Sequence, residues 1–357
     1  MDEIAFLAVS QVHQHLHWIP VALRLAREPG VRVTVLSPSR AGLDFIRGYD
    51  PDRTLKLRWL PTPSFRRDGL FTPPKRSRTL RLYHRLIGRF PTVVTTETTS
   101  ALLKSFPAFK SKLVQIKHGA GDREGGYKAD HAVFDLTLVA GEKDRRRMID
   151  RGLATEKSCI ATGYAKFELV GGATSLFADD RPVALYNPHF DEALSSWFAN
   201  GHALIAEMEG LSDWNFVIAP HVKLKSGPHL RSVAPNIMID RGSIRSVDMS
   251  YTQAAAVYVG DASSQVYEFI RTPRPCIFVN THKLAWEGDA AFEHWTLGQV
   301  IERPDQLASA LARAPALQPI FEPLQRAATA RSFDCSAEPA SERQARAILD
   351  LLRTKRR

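Results

Sequence analysis

The apolar residues of this chain fall into short runs separated by stretches with helical spacing. Ile4 to Val9 is an unbroken apolar run, as a strand covered on both faces requires. A histidine-rich turn follows, then Ile19 to Ala26 at helical spacing, then the strand-like Val31 to Leu36. A βαβ unit therefore opens the chain. Further strand-like runs stand at Thr92–Thr95, Leu113–Lys117 and Leu136–Val139, which makes a parallel sheet with helices on both faces the economical reading.

The polar stretch from Gly171-Gly172 to Asp180 reads as a linker, and beyond it the pattern restarts. Strands are expected at Val183–Tyr186, Asn215–Ala219, Ile237–Ile239, Ala256–Val259 and Cys276–Val279, with helices from Glu192 to Met208 and from Ser264 to Ile270. A last helix, Glu342 to Leu352, carries Ala345, Ile348, Leu349 and Leu352 on one face, suited to pack back on the first domain. The expectation is α/β: two doubly wound Rossmann-like domains with a cleft between them, at residues 1–175 and 181–335, and a C-terminal helix and basic tail at 340–357. A length of 357 residues agrees with two domains.

Composition adds limits. The chain is 44% hydrophobic and 24% charged, so it should fold, and it has no apolar run of the ~18–20 residues that a spanning helix needs. Its start lacks the basic and cleavage regions of a signal peptide, which leads us to expect a cytoplasmic protein. Cys159, Cys276 and Cys335 lack the spacing of a zinc site or a disulfide framework, and the first two read as strand residues in a reducing compartment.

The net charge of +10 calls for an anionic partner. Arg66, Arg67, Lys75, Arg76, Arg78, Arg81, Arg85 and Arg89 crowd one stretch, and Lys355-Arg356-Arg357 closes the chain. Leu80, Tyr83, Leu86, Ile87 and Phe90 recur there at helical spacing. This basic amphipathic helix has two readings: peripheral contact with anionic membrane, or packing on its own domain with a solvated basic face. Nucleic acid is not the expected partner, since no stacking platform or known module is present.

Four strand ends carry candidate chemistry. Gly260-Asp261-Ala262-Ser263-Ser264 lies between a strand and a helix, a geometry that offers hydroxyls and backbone N–H groups to an anion, with Glu268 one turn further. The alternative is a plain helix cap. Ala219-Pro220-His221-Val222-Lys223 places His221 and Lys223 at the same sheet edge, where both can meet a diphosphate. Tyr186-Asn187-Pro188 brings His189 to a third strand end. In the first domain a strand ends at His118-Gly119, followed by Asp122 and the pair Gly125-Gly126, and a histidine there suits removal of a hydroxyl proton. His13, His15 and His17 lack an accompanying carboxylate or thiol, so we expect no metal there, and His15 is a candidate for acceptor contact. Each histidine has the plainer reading of a packed or loop-capping residue.

With these residues in hand, the chain resembles the CDP-glycerol glycerophosphotransferase family. The resemblance rests on His118-Gly119, Tyr186-Asn-Pro188, Pro220-His221 and Asp261-x-Ser263-Ser264, in the family's order, over about residues 110–280. It departs at Ala120, where the family usually has Thr, and at His189. The resemblance implies the GT-B fold and a role in teichoic-acid-like or capsular polymer synthesis. It implies that His118 activates an acceptor hydroxyl, possessed by a glycan or a lipid-linked chain, while His221 and Ser263-Ser264 hold the donor's phosphates. No cofactor beyond a nucleotide-linked donor is implied. Nucleotide-sugar glycosyltransferases, non-hydrolysing nucleotide-sugar epimerases and a non-catalytic binding homologue share the architecture and stay open.

Overall fold

The computed structural model describes residues 1–65, 67–122, 127–171, 175–224 and 231–354. Arg66, the pair Gly125-Gly126, Gly172 of the expected linker and the basic tail 355–357 lie outside the described residues. The chain divides into two compact units, one of Met1–His118, Tyr127–Leu169 and Arg331–Arg357, the other of Gly119–Gly126 and Val170–Ala330.

In the first unit β1 (Asp2–Leu7), α1 (Val12–His15), α2 (Ile19–Ala26), β2 (Val31–Ser37), α3 (Arg40–Gly48), β3 (Lys56–Trp59), α4 (Arg76–Ile87), β4 (Thr92–Thr95), β5 (Lys112–Ile116), β6 (Leu136–Val139), α5 (Glu142–Asp150) and β7 (Cys159–Ala161) follow in chain order. The seven strands are parallel, in the order β3-β2-β1-β4-β5-β6-β7. Alternate residues of β1 feed two cores. Ile4 and Phe6 pack with α2, while Ala5 and Leu7 pack with Leu80 and Ile87 of α4. A central strand walled on both faces has no room for polar alternation, hence the apolar run.

The second unit contains β8 (Val183–Asn187), α6 (Ser196–Glu209), β9 (Asn215–Ile218), β10 (Ile237–Ile239), α7 (Ser250–Ala254), β11 (Val257–Gly260), α8 (Gln265–Phe269), β12 (Cys276–Val279), β13 (Gln299–Ile301) and most of α9 (Leu307–Ser332). Its six parallel strands run β10-β9-β8-β11-β12-β13. Helix α9 continues through Pro315, Pro319 and Pro323. The last helix, α10 (Ala340–Arg353), packs Ala345, Ile348, Leu349 and Leu352 into the core beside α2, and Glu342 pairs with Arg24.

Two segments cross the domain limits read from the sequence. Gly119–Asp122 belongs to the second unit, and residues from Arg331 onward belong to the first. Phe333 accounts for the latter by packing its ring 5.1 Å from Tyr164 and 4.9 Å from Phe167. Cys159 and Cys276 are buried strand residues, and burial pushes the Cys159 thiol up to about 12. No helix among the described residues is long and apolar enough to cross a membrane.

Candidate functional site

In open parallel sheets ligands gather where neighbouring strands send their connections in opposite directions, beyond the strands' carboxyl ends. In the first unit that point lies between β1 and β4. The turn after β1 carries His13, His15 and His17, and β4 is followed by Thr96 and Glu97. His118 emerges from the adjoining β5, half-buried, with its ring centroid 6.1 Å from that of His17 and 6.4 Å from that of His13. Its Nδ1–H donates to the carbonyl of Thr96 at 2.9 Å. A neutral ring held this way keeps its lone pair on Nε2, which is the form a general base needs.

The strand end under His118 is tied down. Lys117 Nζ lies 3.2 Å from Asp144 Oδ2, and Tyr127 Oη donates to Oδ1 of the same carboxylate. Asp144 thereby holds residues on both sides of the loop that follows His118. Burial and the Asp144 charge together push the Tyr127 phenol upward, so it stays a donor.

In the second unit the reversal lies between β8 and β11. Asn187, at the end of β8, donates from Nδ2 to the carbonyl of Ala219 at 2.7 Å, and its Oδ1 accepts from Tyr258 Oη at 3.2 Å. The ends of β8, β9 and β11 are thus fixed together. Beyond them the rings of His189 and His221 stand 5.7 Å apart, with Phe190 4.8 Å from His221 and Lys223 Nζ 5.2 Å from the Phe190 ring. Both histidines accept a backbone N–H at Nδ1, from Asp191 at 3.0 Å and from Lys223 at 3.1 Å. Neutral rings fixed this way carry their proton on Nε2, so each is a donor there. His189 is buried and His221 half-buried, which makes His221 the more accessible of the two.

Asp261 organises this cluster. Its carboxylate accepts from the backbone N–H of His189 (2.8 Å), Ala262 (2.7 Å) and Ser196 (2.8 Å), and from Ser196 Oγ (2.9 Å). Burial still raises its pKa despite those donors, and burial with the Asp261 charge raises the phenols of Tyr186 and Tyr258.

Neither a protein-family model nor a curated protein sequence matches the chain. Solved structures do resemble it. The UDP-GlcNAc 2-epimerase from Neisseria meningitidis bound to UDP-GlcNAc is similar over 98% of this chain and 100% of its own, at 12% identity and a TM-score of 0.67. The S. aureus MnaA–UDP structure covers 99% of this chain and 97% of its own (13%, 0.68). A variant of the wall teichoic acid polymerase TagF soaked with CDPG covers 100% and 89% (13%, 0.67). This chain has the GT-B fold.

Within the GT-B frame the candidate residues separate. His189, His221 and Lys223 gather at the C-terminal domain's switch point, and His118 stands at the N-terminal domain's. Others moved away from the expected roles. Asp261 is 1% exposed with its carboxylate filled by protein donors, so it shapes its turn from beneath rather than meeting a ligand. Gly260 ends β11, where a Cβ would stand 2.6 Å from the ring of Tyr258, so its glycine serves packing. Ser263 is buried and its Oγ accepts the Gln265 N–H at 3.3 Å. Glu268 is also buried, on the short helix α8. Ser264 is exposed beside Gly119 and Gly121, and a Cβ on Gly121 would stand 2.8 Å from Ser264 Cβ.

Asp122 and His15 were expected on the acceptor side, and both are buried. Asp122 Oδ2 accepts from Tyr267 Oη at 2.6 Å and lies 3.1 Å from His294 Nδ1, all within the second unit. His294 Nε2–H in turn donates to the carbonyl of Asp261 at 2.9 Å, so one ring ties the glycine loop to the Asp261 turn. His15 is 1% exposed and packs 5.6 Å from Trp18, with burial, then the Arg76 charge, among the influences lowering its pKa to about 3. His17 is likewise held well below the usual range by burial and by Lys166 and His118.

Tyr267, His294 and Glu97 escaped the sequence reading. Glu97 Oε1 accepts from the hydroxyls of Thr95 (3.0 Å) and Ser100 and is buried below the first unit's reversal. Tyr267 and His294 have no local sequence signal, because both meet Asp122 from more than 140 residues away, whereas the partners of Glu97 are its near neighbours in the chain. Among the described residues no group of three or more His, Cys, Asp or Glu side chains is arranged to hold a metal ion.

Proposed function

We propose that this chain is a GT-B transferase that takes a nucleotide-activated donor, CDP-glycerol-like or a nucleotide sugar, and passes its glycerophosphate or glycosyl group to a hydroxyl acceptor in cell-surface polymer or glycan synthesis. The observation that carries the reading is the difference in hydrogen-bond role at Nδ1: a donor to a carbonyl at His118, an acceptor of a backbone N–H at His221 and His189. His118 Nε2 takes the acceptor's O–H proton as that oxygen attacks the donor. The bond from the transferred group to the nucleotide phosphate breaks, and the electron pair leaves with the phosphate. His221 Nε2–H and the Lys223 ammonium stabilise the charge that develops there. A positioned base supplies roughly 10²–10⁴-fold, so alignment and charge stabilisation carry the rest.

The ligands named with the similar structures, UDP-GlcNAc, UDP and CDPG, support a nucleotide-linked donor. A second reading, epimerisation of a nucleotide sugar, is favoured by the N. meningitidis epimerase, which aligns along its whole length. A thermal-shift screen of CDP-, UDP-, GDP- and CMP-linked compounds tests the donor. One nucleotide class at 100 times its Kd should add about 2.7 kcal/mol of stability. A flat response to every class would sink the reading. Product analysis then separates the two reactions: acceptor-dependent release of nucleotide marks the transferase, and an inverted sugar still linked to its nucleotide marks the epimerase.

A further inference from the structure

The chain's excess charge sits in one place. Between Asp52 and Glu97 stand eleven Lys and Arg residues and a single acid, Asp68. That segment's +10 equals the net charge of all 357 residues, so the remainder is electroneutral. Asp68 is turned toward the start of α3, where its Oδ2 accepts the backbone N–H of Arg40 at 2.7 Å.

Helix α4 settles which of its faces meets solvent. Leu80 and Ile87 are fully buried, with Tyr83 and Leu86 packed against the same core, so the apolar stripe read from the sequence is consumed by the protein itself. The outer face is a different set. Arg78, Arg81, Arg85 and Arg89 are exposed, with Leu82 among them at 56%. None of these arginines forms an ion pair among the described residues.

The preceding loop is strapped along this helix. Tyr83 Oη donates to the carbonyl of Pro61 at 2.6 Å, Thr79 Oγ1 to Thr62 Oγ1 at 3.1 Å, and Arg78 Nη1 to the carbonyl of Pro63 at 2.8 Å. Two residues beyond the last of these contacts stands Phe65, 102% exposed. A stripe of arginines without ion pairs, with an apolar residue inside it and a bare phenylalanine at its end, leaves hydrocarbon in water beside unneutralised positive charge. It matches a surface that offers phosphates outside and hydrocarbon just beneath.

We infer that the outer face of α4 and the 60–65 loop form a docking surface for an anionic lipid bilayer, with the arginines on head-group phosphates and Phe65 and Leu82 in the acyl boundary. A single-stranded nucleic acid fits less well. Binding of that kind rests on a succession of open aromatic faces, whereas beside Phe65 stand Leu82, which has no ring, and Trp59, whose ring the Arg40 guanidinium covers at 3.9 Å. The surface lies wholly within the first unit and does not depend on the donor chemistry.

Vesicle flotation of the full chain tests this. Binding is expected to vesicles of phosphatidylcholine with about one-quarter phosphatidylglycerol and not to phosphatidylcholine alone, with release as salt rises from about 0.1 M to about 0.5 M. Arg81→Gln with Arg85→Gln should weaken partition roughly 25-fold, and Phe65→Ser roughly tenfold. Circular dichroism and the melting midpoint should match the parent, and Phe65→Ser, a change at a fully exposed loop residue, decides alone if the double variant misfolds. Absence of binding, equal binding to neutral vesicles, variants that bind like the parent, or tighter binding to a single-stranded oligonucleotide than to the anionic vesicles would each overturn the inference.

Discussion

At the end of β5 in the first unit a histidine gives its Nδ1 proton to a carbonyl, whereas beyond β8 and β9 in the second unit two histidines receive backbone N–H groups at the same atom. One residue type is thereby set in two chemical states. The cause is local backbone. His118 reaches the carbonyl of Thr96 on the neighbouring strand's exit, while His189 and His221 each sit in a turn whose N–H two residues on folds back to the ring. A strand-end histidine is neither acid nor base until the groups around Nδ1 fix its tautomer.

The largest break in this comparison should come from His118→Ala. Turnover with the true donor and acceptor should fall about 10²–10⁴-fold while nucleotide affinity, read by calorimetry, stays at the parent value. Turnover within threefold of the parent would return His118 to a packing role.

Acid should unsettle the first unit. His15 titrates at about 3 in the folded chain against an ordinary 6.5, so between those values the unfolded chain binds a proton that the folded chain refuses. Stability is complete above about pH 7 and drains as pH falls toward 3, by about 1.4 kcal/mol per pH unit for one such group, with His17 acting in the same direction. Denaturant midpoints across that range should flatten in His15→Phe, and an equal slope in that variant would remove the residue from the account.

Asp261→Ala should destabilise by about 3 kcal/mol, since four donors to its carboxylate lose their acceptor inside the protein. The drop belongs to chemical denaturation and should be present without nucleotide. The smallest effect is expected from His221→Ala. Loss of one hydrogen bond to a charged phosphate is worth about 1.5–3 kcal/mol, seen as weaker nucleotide binding with an unchanged melting midpoint. If Asp261→Ala lost nucleotide affinity yet kept full stability, the roles we assign to the two residues would be reversed.

Much of the scaffold was legible because buried parallel strands must be apolar on both sides. Thr92–Thr95, Leu136–Val139 and Cys276–Val279 match their strands residue for residue. The short edge strands β3 and β7 were weaker signals, since Lys56–Trp59 is largely exposed. Helix α9 gave no sign, because Pro315, Pro319 and Pro323 read locally as breakers while packing keeps the helix continuous around them. Among the site residues, the strand-end placement of His118, His189 and His221 was readable. The burial of Asp122 and Asp261 was not, because each is set by partners far along the chain, such as His294 172 residues from Asp122 and His189 72 residues from Asp261.

The sequence by itself determined two parallel sheets, the strand ends at which polar groups must emerge, and a concentration of charge equal to the whole chain's excess. Periodicity and composition are properties of neighbours in the chain, and those conclusions need nothing more. The tertiary structure decided which of the emerging groups face inward. It turned Asp261 from a phosphate contact into the anchor of its turn, and it spent the apolar stripe of α4 on the core so that a different face, of arginines around Leu82, was left outside. Burial and hydrogen-bond direction depend on groups brought together from distant positions, and only the folded chain brings them together.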